Sequence, residues 1–241
     1  MFMKRDVESG GGGDRPLYPN MLENPQFRWS FIRKVYCILT FQLLLTVAVA
    51  AVVVFVRPIP HFIVSTTPGL VLYCVLIFIP FITLCPLYYY HQKHPLNYFL
   101  LFIFTVTMAF AVGLTCAFTS GKIILESVIL TAVVVISLTI YTFIASRRGH
   151  DFNFLGPFLF GALLILIAFS LIQILFPLGK LSLMIYGGLA SLIFCGYIIY
   201  DTDNLIKRFS YDQYIWASVS LYLDVINLFL SLLTLGRAAS S

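Results

Sequence analysis

The chain has 241 residues, 60% of them hydrophobic and only 10% charged, with a mean hydropathy of +0.96. A soluble domain carries about 25% charged residues, so a water-facing surface is excluded and an all-α integral membrane protein is expected. The formal net charge of +5 then reports orientation in a bilayer, and no nucleic-acid partner is expected.

Residues 1–28 are polar, glycine-rich from Gly10 to Gly13 and interrupted by Pro16, Pro19 and Pro25. Such a composition buries no core and predicts a disordered cytosolic tail. An apolar run near the start, as a cleaved signal peptide needs, is absent, so the first spanning helix is expected to act as an uncleaved insertion signal. A hydrocarbon core about 30 Å thick takes around 20 helical residues. Seven apolar runs meet that length: 31–56, 69–90, 96–118, 123–146, 154–176, 182–206 and 214–235. The expected organisation is a seven-helix membrane domain over 29–237 and a short C-terminal tail at 238–241. Short connections make consecutive helices antiparallel neighbours.

With the N-terminus in the cytosol, the inside segments hold Lys4, Arg5, Arg15, Arg28, Arg33, Lys34, Lys93, Arg147, Arg148, Lys207 and Arg208. The outside segments hold only Arg57, Lys122, Lys180 and Arg237. Eleven against four is a clear positive-inside bias. Seven full spans put the C-terminus outside. A six-span topology with a re-entrant last segment returns it to the cytosol, and the polar end of the chain fits both.

Most other features read as packing. The five cysteines, Cys37, Cys74, Cys85, Cys116 and Cys195, lie in apolar runs without CxxC spacing, which excludes a disulfide framework and a zinc site. Gly187, Gly188, Ala190, Ser191 and Gly196 give the sixth run a small face for close helix approach. Pro80, Pro86 and Pro157 are expected to kink helices or mark their ends. Trp29, Trp216 and Tyr88 to Tyr90 sit where interfacial aromatics belong.

Three acids lie at membrane depth: Glu126, Asp201 and Asp224. Each costs about 2.5 to 3.5 kcal/mol near a helix centre on insertion scales. Glu126, four residues into its run, reads equally as an interfacial anchor and as a functional group. Asp201 and Asp224 flank one turn, eleven residues before and twelve after Asp212. A hairpin turning there brings them to similar depth, provided the sixth helix continues past Asp201 towards Lys207. If it ends at Tyr200, they stay apart. Two carboxylates in a poorly hydrated site cannot both ionise cheaply, so a pair is expected to keep one proton and titrate as a unit. The shared proton holds the helices together. Losing it creates repulsion and a site attractive to hard cations such as calcium.

YDTDNLIKR followed by YIWASVSLYLDVINLFLSLL resembles the C-terminal signature of the transmembrane Bax-inhibitor-motif family, in its Lifeguard branch. FIRKVY, CPLYYYHQKHPLNY and RRGHDFNFLGPFLFG add to the likeness, which covers about residues 27 to 237 and is similar to plant members. The resemblance implies seven helices with the last one central. It also implies suppression of programmed cell death and a pH-dependent calcium leak sensed by a pair of aspartates, matched by Asp201 and Asp224. Some bacterial relatives hold that pair with an arginine at the end of the second helix. His91 stands there in this chain, and Pro80 stands near the place of an acidic residue of those relatives. Glu126 is matched.

Three classes of function are set against one another. The first is a pH-sensitive calcium leak or channel gated by Asp201 and Asp224, with Glu126 and His91 in support. There calcium is the transported ion, bound transiently by the two aspartates, and there is no cofactor. The second is a non-conducting protein that binds other membrane or cell-death regulatory proteins, with the aspartates as interhelical glue. The third is an enzyme. Tyr200-Asp201 is similar to the YD of intramembrane aspartyl proteases, but Asp224 follows Leu221-Tyr222-Leu223 where those require glycines. HExxH and phosphate-binding glycine loops are absent, so a non-enzyme is expected. The resemblance points to the endoplasmic reticulum membrane, with Golgi, vacuolar and plasma membranes also compatible.

Overall fold

The computed structural model describes residues 16–19, 21–176 and 178–240. Eight α-helices follow in order: α1 (Pro25–Phe55), α2 (Pro58–Ser65), α3 (Thr67–Tyr90), α4 (Leu96–Ala117), α5 (Gly121–Arg147), α6 (Leu155–Leu175), α7 (Lys180–Lys207) and α8 (Tyr214–Ser240). One turn of 3-10 helix, Tyr211–Gln213, leads into α8, and no strand occurs among the described residues. Every helix except α2 is long and apolar enough to cross a membrane. The protein is a multi-pass, all-α membrane protein with seven spanning helices.

Helix starts follow local chemistry. Asn24 Oδ1 accepts the Gln26 backbone N–H at 2.9 Å ahead of α1, and Thr66 Oγ1 accepts that of Gly69 at 3.0 Å ahead of α3. Pro25 and Pro68 occupy the first turns, where a missing N–H costs nothing. Pro157 likewise lies in the first turn of α6. Pro80 and Pro86 do not end α3, which runs through both. Within that stretch Thr83 turns its hydroxyl onto the carbonyls of Ile79 and Pro80, each at 2.9 Å.

α8 is the axis. In its most apolar window 56% of residues are buried, in α4 50%, but only 11% in α3, α5 and α6. It packs against α7, α1, α5 and α4. α6, an outer helix, leaves Phe158, Ile165 and Ile174 exposed, as lipid-facing side chains should be. Lipid tails are as apolar as leucine, so close backbone approach replaces hydrophobic drive. A Cβ on Gly187 of α7 would lie 2.9 Å from the Leu235 nitrogen and 3.0 Å from the Ser231 carbonyl of α8. One on Gly196 would meet Leu159 of α6 at 2.7 Å. The small face on α7 therefore serves two neighbours.

Both expected tails need correction. Residues 1–15, Asn20 and Ser241 lie outside the described residues, but Leu17, Glu23 and Arg28 of the expected 1–28 tail are tied into the fold. Leu17 is 2% exposed and joins the core with Phe31, Leu205 and Ile215. Arg28, 3% exposed, donates to Glu23 at 2.6 Å and to the Phe209 carbonyl at 2.6 Å, and Tyr211 donates to Glu23. This strap crosses the end of the bundle where α1 begins, hereafter the proximal end. Composition missed it because one leucine and one ion pair suffice to dock a short polar segment. At the other, distal end, α8 continues to Ser240 through the tail expected from 238. No proline follows Gly236, and Arg237 in the last turn suits the helix dipole.

Candidate functional site

α7 ends at Lys207, six residues beyond Asp201, and the turn into α8 is short. Gln213 closes it by accepting the Ser210 backbone N–H at 3.1 Å. The hairpin therefore holds Asp201 and Asp224 at matching depth, and their carboxyl groups face each other across the α7–α8 contact. Asn204, nearly one turn on, also faces Asp201. Tyr197, one turn back along α7, lies in the field of both carboxyls. Asp224 is 5% exposed and its Oδ2 has no hydrogen-bond partner. A buried carboxylate oxygen without a donor is costly when ionised, so this geometry favours a proton held between the two groups.

Glu126 and His91 do not join them. Glu126 is 58% exposed and stands 3.8 Å from Lys122 on its own helix, as an interfacial anchor would. The Nδ1 of His91 lies 2.5 Å from the Tyr88 carbonyl, and its own carbonyl accepts from Asn97 at 3.0 Å. It caps the proximal end of α3, whereas Asp224 lies ten residues inside α8. Among the described residues no three His, Cys, Asp or Glu side chains gather as a metal-ligand set. Two carboxyls fall short of the six to eight oxygens that hold calcium firmly.

A third aspartate, not among the acids expected at membrane depth, joins the hairpin. Asp203 is fully buried, two residues from Asp201 and so on the opposite side of α7. It accepts from Ser146 Oγ at 2.9 Å, the Phe152 backbone N–H at 3.2 Å, Lys207 Nζ at 2.5 Å and Arg208 Nη1 at 3.0 Å. Arg208 also pairs with Asp151. The α5–α6 loop reaches this junction through Gly149 at φ +85°, with the His150 N–H on the Ala145 carbonyl and the Gly149 N–H on the Ser146 carbonyl. That Schellman turn needs the left-handed residue glycine supplies. Asp151 lies outside the spans, and its carboxyl is held below the ordinary range by the Asn153 backbone N–H first and by Arg208. The Asp203-Lys207 spacing of four was the available signal. That spacing alone does not tell which of two aspartates two residues apart on α7 turns towards α5 and the loop.

The sequence profile of a family described as "Inhibitor of apoptosis-promoting Bax1" matches residues 28–241. Similar proteins include Protein LIFEGUARD 2 of Arabidopsis thaliana, 73% identical over 99% of this chain and 98% of that one. Protein LIFEGUARD 4 of the same plant is 70% identical over 99% and 97%. The Golgi anti-apoptotic protein of Vaccinia virus is 39% identical over 86% of this chain and 85% of its own.

Proposed function

The chain belongs to the Bax-inhibitor family, within its plant Lifeguard group, and we propose that it restrains programmed cell death as a pH-sensitive calcium leak of an internal membrane. The family's description and the name of its viral relative support the cell-death role. The buried pairing of Asp201 with Asp224 carries the leak. With a proton between them the carboxyls hold α7 against α8. As pH rises and the proton leaves, two like charges repel and draw in a hard cation. In this reading the proximal end, rich in lysine and arginine, faces the cytosol, and the membrane is that of the endoplasmic reticulum, with Golgi, vacuolar and plasma membranes as alternatives.

The test is calcium flux into proteoliposomes against pH. The wild type is expected to conduct more as pH rises, and Asp224→Asn, which cannot lose the proton, to show no pH response. A folded wild type with no flux above empty liposomes overturns the leak. It would favour a non-conducting protein that acts through membrane or cell-death partners.

A further inference from the structure

Two carboxyls that share one proton are equivalent only if their other neighbours match, and here they do not. Asp201, Asn204 and Arg208, the residue that caps α7, stand at i, i+3 and i+7 along one stripe of the helix. Asn204 is 9% exposed and is held by both backbone and side chain. Its backbone carbonyl accepts the N–H groups of Arg208 at 2.8 Å and Phe209 at 2.9 Å, and its Oδ1 accepts from Arg208 Nη1 at 2.8 Å. A guanidinium only donates, so the branch of the amide that meets Arg208 must be the oxygen. The NH2 branch is then the one left for Asp201, which Asn204 faces. Arg208 is itself fixed, with Asp203 Oδ2 at 3.0 Å from Nη1 and Asp151 on its other arm.

Asp224 has no such neighbour. Its Oδ2 lacks a partner, and its contact is with Asp201. A neutral carbonyl oxygen left dry costs little, whereas a dry carboxylate oxygen costs much. An amide N–H, by contrast, favours the ionised form of the acid it meets. The other titratable groups around the pair are tyrosines. Tyr197 of α7 lies in the field of both carboxyls. Tyr200 stands over Gly156 of α6, Tyr36 of α1 turns to Thr202 and to Thr139 of α5, and Tyr222 of α8 bonds Thr46 of α1. The cations of the junction, Lys207 and Arg208, pair with Asp203 and Asp151.

We propose that Asn204 is the positioning residue that divides the pair: held by Arg208, it gives its N–H to Asp201, so Asp201 is the ionised acceptor and Asp224 keeps the proton. The shared hydrogen bond then runs from Asp224 to Asp201, and Asp224 is the group that must let go before the hairpin opens. The arginine that fastens Asp203 and Asp151 thereby orders the switch two turns away. This assignment rests on the carboxyl pair that the leak reading uses, so its first readout needs no flux. The infrared carbonyl stretch of a protonated carboxylic acid is followed in the full chain in nanodiscs at about pH 7, where exposed carboxyls are ionised. The wild type should show the band. Asp224→Asn should lose it, because Asp201 then meets two amides and stays ionised. Asp201→Asn should keep it, because Asp224 retains its dry oxygen. Adding Asn204→Leu to the Asp224→Asn chain should bring the band back, on Asp201, and Asn204→Ala repeats this if the leucine chain does not fold. A band that survives Asp224→Asn, vanishes in both single variants or stays absent from the double variant overturns the assignment. In a titration, Asn204→Leu should raise the pH at which the band disappears by about one unit, a tenfold change in proton affinity. Half-maximal calcium flux should move with it. Lys207→Gln loosens the same junction but spares the Asn204–Arg208 bond, so it should leave both at wild-type values. An equal shift there would assign the effect to the whole junction and overturn the role of Asn204. The expected bands without wild-type flux refute the leak and spare the assignment. The expected flux with a band in Asp224→Asn refutes the assignment and spares the leak.

Discussion

Asp203 and Asp224 are both buried carboxyls at the α7–α8 hairpin, and their surroundings are opposite. Asp203 receives a hydroxyl, a backbone N–H, an ammonium and a guanidinium. Asp224 meets another carboxyl, and one of its oxygens has no partner. The first arrangement repays the desolvation of a charge and fixes the α5–α6 loop to the end of α7. The second leaves the charge uncompensated, so a proton must supply what donors do not. Partner number, more than burial, separates an acid held as a fastener from the one that the proposed leak uses as its switch.

The strongest way to break this comparison is to remove each group in turn. Asp203→Ala takes the acceptor at once from Ser146, the Phe152 N–H, Lys207 and Arg208, although Arg208 keeps Asp151, and should cost about 3 to 5 kcal/mol. It would be read as a fall in the thermal unfolding midpoint in detergent. Asp224→Asn removes an uncompensated carboxyl and should leave that midpoint unchanged or higher. A large loss from Asp224→Asn would make it structural and end the distinction.

A middle-sized effect is expected between the two sites. Gly187→Ala places a methyl 2.9 Å from the Leu235 nitrogen, and overpacking of this kind costs about 1 to 3 kcal/mol. Because backbone atoms must give way, α7 and α8 should separate, and calcium flux should persist at acid pH where the wild type is closed. An unfolding midpoint and a pH profile both equal to wild type would show that the contact does not hold the hairpin shut.

The smallest effect concerns the proximal strap. Burial opposes ionisation of Glu23, yet the Tyr211 hydroxyl and Arg28 outweigh it and hold the carboxyl below its ordinary range. Asp151 is depressed in the same direction. A depressed acid contributes stability that is present above its unfolded value, about pH 4 for a carboxyl, and lost as pH falls through the folded value. With Glu23 32% and Asp151 59% exposed, solvent screens these pairs and each contributes about 1 kcal/mol or less. Hydrogen exchange in residues 16–28 should therefore quicken below about pH 4 while the hairpin remains protected. Quickening near neutral pH would instead couple the strap to Asp201 and Asp224.

Much of the molecule was legible in its sequence because the bilayer imposes a simple rule. Every backbone donor in hydrocarbon must be satisfied within its own helix, so seven apolar runs had to become seven helices. The ends of 96–118 and 154–176 fell within a residue of α4 and α6. Depth matching of Asp201 and Asp224 followed from counting residues around one turn. Rotation about a helix axis is not written in a hydropathy profile. Which way Asp203 points and that Leu17 docks under a polar strap depend on neighbours far along the chain, whereas Glu126 beside Lys122 and His91 on Tyr88 are set within three or four residues. Length and polarity fixed how many helices cross and where the acids lie in depth. Only the packing of α8 among α7, α1, α5 and α4 decided which acid meets a donor and which meets another acid, because partners are chosen in three dimensions.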